Sequence, residues 1–199
     1  MKTNLGPHPD PPTDLATRPL PITIYGRPWF RIHRLAQGPL FFGRAGDNRF
    51  DAPGGEFGVL YVGKDERCAF IETFGHATGV QLVVQSELAV RGLALITPKR
   101  PLRLVNLAGD GLARLGADAR LTAGESYDVA HRWALAIHDH PKKPDGIVYT
   151  ARHDPSRLCA AIFDRAGVEL AFASLGSLAD PAHATLIATM LDTYGFGLV

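Results

Sequence analysis

Aromatic and β-branched residues gather at 29–34 (WFRIHR), where Arg31 alternates with Phe30 and Ile32, and the pattern predicts a strand. Upstream, six of the fifteen prolines fall within residues 1–21. That density excludes helix and regular sheet, and predicts an arm, disordered or docked on the surface, ahead of a folded domain over 22–199. Residues 35–56 are rich in glycine and proline and read as a long loop of the kind that serves function or stays mobile. The apolar run at 57–62 (FGVLYV) predicts a buried strand leading into a helix capped by Asp65. On that helix Phe70, Ile71 and Phe74 form an apolar stripe around Glu72.

Further strands are predicted at 82–90, 93–97 and 102–107, with a helical turn or two at 110–115. Tyr127, Ala130, Ala134, Leu135 and Ile137 recur at near-helical spacing, which predicts a helix from about Gly124 to His138. Strands at 146–150 and 158–163 flank a polar turn, and Asp180-Pro181 opens a helix with Ala182, Leu186, Ile187 and Met190 on one face. Strands and helices mix without βαβ alternation, so the expected fold is α+β, a single mixed domain.

Composition narrows the function. The chain has 199 residues, 46% hydrophobic and 21% charged, which fits a globular domain and excludes disorder. No apolar run approaches the roughly 20 residues of a membrane helix, and the N-terminus lacks a secretory pattern, so a cytoplasmic protein is expected. Cys68 and Cys159 alone make neither a disulfide framework nor a zinc site. Net charge is +1, yet residues 20–50 hold five arginines and a single acid, Asp47, and arginines outnumber lysines 16 to 5. Guanidinium forks suit phosphate and carboxylate, and the small surplus favours an anionic small molecule over nucleic acid.

Three familiar patterns fail. GVLYVGKD at 58–65 is one residue short of a phosphate loop, and its interior belongs in a strand. GDGLARLG at 109–116 lacks the third glycine of a dinucleotide fingerprint. His131, His138, His140 and His153 have no nearby cysteine to complete a zinc set, so no metal is expected.

An ordered series is left: Arg31 in FRIHR, Arg49 in GDNRFDAPGG, Tyr61 in GVLYVG, Glu72 in CAFIETFGH, Ser126 in GESYDVAHRWA, then DGIVYTARHD. From about Trp29 to Phe163 the chain resembles the RES domain family, most specifically in NRF, GVLYVG and CAFIET. The resemblance implies an ADP-ribosyltransferase-like fold and the toxic half of a bacterial toxin–antitoxin pair, whose partner carries an Xre-like helix-turn-helix. It also implies NAD⁺ as substrate, with nicotinamide released and ADP-ribose passed to phosphate, water or a protein. Many members carry serine in a later YxSR-type run, where this chain has Ala151; Ser126 is taken as the family's serine from its place ahead of the helix preceding DGI.

The residue types suit that chemistry. Cleaving the nicotinamide–ribose bond builds positive charge on the ribose, which a carboxylate stabilises, and Glu72 is the candidate; an exposed helix glutamate is the ordinary alternative. Arg31 and Arg49 are candidates to clamp the pyrophosphate, against exposed surface arginines. Tyr61 is a stacking partner for a ring of the substrate or a core tyrosine. Ser126 binds ribose or phosphate, or caps a helix, or does both. The competing function is a non-catalytic nucleotide sensor.

Overall fold

A computed structural model describes residue 6, residues 8–76 and residues 79–199. The first five residues and Pro7 of the proline-rich arm lie outside the described residues. The remainder of the arm packs against the domain: Leu15 and Leu20 are buried, and Trp133 Nε1 donates to the carbonyl of Pro9 at 3.0 Å.

In chain order the elements are β1 (Ile22–Tyr25), β2 (Trp29–Arg34), β3 (Val59–Gly63), α1 (Glu66–Phe74), β4 (Leu82–Val83), α2 (Gln85–Ala89), β5 (Arg91–Pro98) and β6 (Leu102–Asn106). Then come α3 (Gly111–Leu115), α4 (Arg120–Ala123), α5 (Asp128–His138), β7 (Gly146–Thr150), β8 (Leu158–Phe163), β9 (Leu170–Ser177), α6 (Ala184–Tyr194) and β10 (Gly197–Leu198). Eight strands form one sheet in the order β1-β6-β7-β8-β3-β2-β5-β9, and β4 pairs with β10.

The join between β3 and β2 is the weak seam. A single residue pair, Phe30 with Gly63, registers there, whereas β2 runs six pairs along β5 and β3 five along β8. The sheet therefore behaves as two half-sheets. Trp29, Ala94 and Ile96 of one half pack on Leu60, Val62, Val148, Ala160 and Ile162 of the other. The outer face of the larger half is covered by Trp133, Ala134 and Ile137 of α5, and that of the smaller half by Phe70 of α1 with Ile187 and Met190 of α6. Strands covered on both faces have no need to alternate with polar residues, which is why β7 and β8 read as continuous apolar runs.

Two sequence expectations require correction, and one strand of the sheet carried no sequence signal. Residues 82–90 are not one strand: β4 stops after two residues and QSELA, rich in helix formers, turns into α2. The helix expected from Gly124 begins at Asp128, because Gly124 is extended (ψ 162°) and ends α4 instead. The strand β9 lies in a stretch whose glycine, alanine and serine gave no strand signal.

Candidate active site

Beyond the Phe30–Gly63 pair, β2 and β3 splay apart and leave a cavity of about 570 Å³ between them. Residues 30–34, Val59 and residues 61–63 supply its walls, with α1, the loop before β3 and the turn between β7 and β8. This volume lies in the usual range for small-molecule sites.

Helix α1 can sit over the seam because Gly63 has no side chain: a Cβ there would lie 2.7 Å from the Ala69 amide nitrogen. Asp65 caps the helix, accepting from the Cys68 amide at 2.8 Å, and is itself held by Arg157 at 2.8 Å. Phe70 and Phe74 turn toward the smaller half-sheet and Ile71 is buried, while Ala69, Glu72, Thr73 and His76 face the cavity at i, i+3, i+4 and i+7. Cys68 and Cys159 are free, buried and in contact.

Glu72 Oε1 accepts from the Arg152 amide at 3.1 Å. Burial raises its pKa above the ordinary 4.5, opposed by that amide and by the positive charge of His76, Arg49 and Arg152. The turn that presents Arg152 and His153 is braced by Asp154, which accepts from Ser156, Arg157 and Tyr194.

The opposite wall is irregular but tied down. Asp51, fully buried, accepts from the Asn48 amide at 3.0 Å and from the Tyr61 hydroxyl at 2.9 Å; the same hydroxyl accepts from the Phe50 amide at 2.9 Å. Burial and the adjacent Asp51 push the Tyr61 phenol well above 10, so it stays protonated and can donate. Gly43 bridges to Val59, and His131 Nε2 lies 2.9 Å from the Asn48 carbonyl.

These bonds present Arg49. It is 7% exposed, its guanidinium stacks over the Tyr127 ring at 4.6 Å, and its Nη1 is buried without a hydrogen-bond partner among the described residues. Burial is the largest cause of its lowered pKa. Arg31 shares the cavity but divides its function, since Nη1 donates to the carbonyls of Pro39 and Phe41 at 2.9 and 3.0 Å; burial lowers its pKa to about 10, so it stays charged at neutral pH.

The fold thus brings Arg31, Arg49, Tyr61 and Glu72 to one cavity. Ser126 is outside it: exposed, its hydroxyl donates to Asp128 Oδ2 at 3.0 Å and accepts from the Asp128 amide at 3.2 Å. Its neighbour Tyr127 takes the place on the wall. Sequence reasoning missed Tyr127, Tyr149 and Arg152 and weighed His153 only as a metal ligand; the one signal available was the YTARHD run, in which nothing local marks Arg152 and His153 as cavity residues. Of the other histidines considered, His138 stacks on Phe57 and His140 is buried against the Arg18 carbonyl.

Known proteins place this architecture. The chain shares its fold, with TM-score 0.64 at 12% identity, with a chain of the M. tuberculosis MbcT–MbcA toxin–antitoxin complex, covering 87% of this chain and 92% of that one. The expected single mixed α+β domain is met. "Probable toxin y4kH" of Sinorhizobium fredii (strain NBRC 101917 / NGR234) is 31% identical over 114 residues, 57% of this chain and 87% of that protein. The RES domain family model matches residues 28–178, a span that takes in every strand of the eight-stranded sheet except β1, the seam between the half-sheets and every wall of the cavity. With the motif series and the family match in agreement, the chain belongs to the RES domain family.

Proposed function

We propose that this protein is the toxin of a bacterial toxin–antitoxin pair and cleaves the nicotinamide–ribose bond of NAD⁺, transferring ADP-ribose to an acceptor. The observation that carries this reading is the Arg49 Nη1, without a hydrogen-bond partner among the described residues and buried in a cavity it shares with the Glu72 carboxyl. A buried guanidinium without a partner costs free energy, and a pyrophosphate oxygen is the anionic acceptor that removes the cost. Arg31 adds a second cation and the Tyr127 ring holds the Arg49 fork in plane. Tyr61 keeps the Arg49 loop in position through Asp51 and offers its ring to the substrate.

Glu72 supplies the chemistry. As the C1′–N bond lengthens, nicotinamide leaves with the bonding pair and the ribose gains oxocarbenium character; an ionised carboxylate beside it lowers the barrier. The Arg152 amide fixes that carboxylate before substrate arrives. Only ionised Glu72 helps, so activity falls as pH drops through its raised pKa.

A protein that consumes NAD⁺ must be silenced in its own cell, where NAD⁺ is abundant. An antitoxin with an Xre-like helix-turn-helix suits that need, and an acidic or carboxylate-ended tail on it would match an arginine-lined cavity. The named relative is a probable toxin and the structural neighbour lies in a toxin–antitoxin complex, which supports the pairing. The decisive experiment measures nicotinamide release from NAD⁺ by purified protein and by Glu72→Ala. Release that vanishes in the variant, at a melting temperature within a few degrees, supports the enzyme. No release by the wild-type protein, or full biological effect from the variant, returns the chain to a nucleotide sensor.

A further inference from the structure

The last step of this reaction needs an acceptor, and the acceptor's chemistry decides whether a proton must be removed. An oxygen that is already anionic attacks C1′ unaided; a hydroxyl or water gains from a base. Two histidines that line the cavity, His33 and His153, have a buried Nε2 without a hydrogen-bond partner among the described residues, and His153 is the one that adjoins the residue bonded to Glu72. His153 stands in the turn between β7 and β8, next to Arg152, whose amide grips Glu72. Its Nε2 is buried and has no hydrogen-bond partner among the described residues. Burial is the largest cause of a lowered pKa, and the charges around the ring act the same way: Arg152 on its own turn, His76 beyond α1 and Arg49 on the loop. The His76 ring lies edge-on at 6.3 Å. A neutral imidazole with an unused ring nitrogen, on the wall that holds Glu72, is otherwise an unexplained cost.

We propose that His153 is the general base that takes the proton from the acceptor, and that the acceptor is therefore a hydroxyl or water. The inference rests on the NAD⁺ reading above and names the acceptor class for the same site. The acceptor oxygen bonds to C1′, nicotinamide departs with the electron pair of the broken C1′–N bond, and the acceptor's proton passes to His153 Nε2 and then to solvent. NAD⁺ and ROH give nicotinamide, the ADP-ribosylated oxygen and one proton.

The test uses full-length wild type, His153→Gln and His153→Ala, with NAD⁺ as substrate and nicotinamide release as readout over a range of pH. His153→Gln keeps a hydrogen-bonding side chain but cannot take a proton; its kcat is expected to fall by about 10²- to 10⁴-fold with KM nearly unchanged. In wild type, kcat/KM loses two ionisations on the acid side, those of Glu72 and His153; in His153→Gln the limiting slope drops from two to one. Added imidazole restores part of the turnover of His153→Ala, which also decides the matter if the glutamine variant misfolds. Turnover of His153→Gln close to wild type overturns the base while leaving NAD⁺ cleavage standing. So does a loss in which KM rises in step and the slope stays at two. Absence of nicotinamide release from wild type removes the base and the NAD⁺ reading together.

Discussion

The two walls of the cavity are built on different principles. Glu72 rides on a strand–turn–helix unit whose residues are consecutive in sequence, and its position follows from backbone hydrogen bonding, the Asp65 cap and the absent side chain at Gly63. Arg49 rides on a segment without regular structure, and its position depends on side chains reaching across: Tyr61 to Asp51, Asp51 to Asn48, Tyr127 beneath the guanidinium. Regular backbone makes a position robust to any single side-chain change except one that intrudes sterically. A loop held by a few side-chain bonds is precise only while each bond is satisfied, because each buried group left alone costs about 1–3 kcal/mol. The group proposed to react therefore sits on the robust wall and the group proposed to bind on the adjustable one.

Substitutions can break this contrast. The largest effect is expected for Glu72→Gln, which removes the carboxylate and should lower kcat for NAD⁺ by about 10²- to 10³-fold or more. Its stability should move the other way. Because the folded carboxyl has a pKa above the ordinary 4.5, the folded state binds more protons in that window, and stability is lost as pH rises through it. Removing the ionisation removes that loss, so calorimetry at neutral pH should find a melting temperature equal to or above wild type.

Gly63→Ala comes next, since its Cβ would meet backbone and the helix must move. Denaturation should show about 1–3 kcal/mol of destabilisation, together with a fall in kcat as Glu72 leaves its place. Tyr61→Phe tests the adjustable wall: it strips partners from Asp51 and the Phe50 amide, and should raise KM several-fold with kcat less affected. A kcat loss as large as that of Glu72→Gln would show that the walls are not separable. Arg49→Lys keeps the charge but loses the planar fork over Tyr127, and should raise KM by roughly tenfold without the stability loss of Tyr61→Phe. The smallest effect is expected from Ser126→Ala, about 0.5 kcal/mol for a turn bond at an exposed position. Turnover measured beside it decides whether the serine expected from the motif has a part in chemistry.

The same contrast governs how much is legible in the sequence. Strands β2, β7 and β8, the Asp65 cap and the Asp180 turn follow from local pattern, because neighbouring residues fix them. The strand expected at 82–90 ran too long because β4 pairs only with β10 at the far end of the chain, and β9 escaped because an edge strand with little to bury carries little apolar signal. Glu72 stood out as an acid among apolar residues. Arg49 was recognisable by motif but not by burial: nothing local says that a guanidinium in a glycine-rich loop will lose its solvent.

Residue type, spacing and local capping determined the elements, the family resemblance and the set of charged candidates. Only the tertiary structure decided that β2 and β3 part after one residue pair, that Ser126 turns back on its own backbone instead of entering the cavity, and that Arg152 and His153 arrive beside Glu72. Arg152 reaches Glu72 from 80 positions away, and the free energy of such a meeting belongs to the packed whole, with no trace in any short window of the chain.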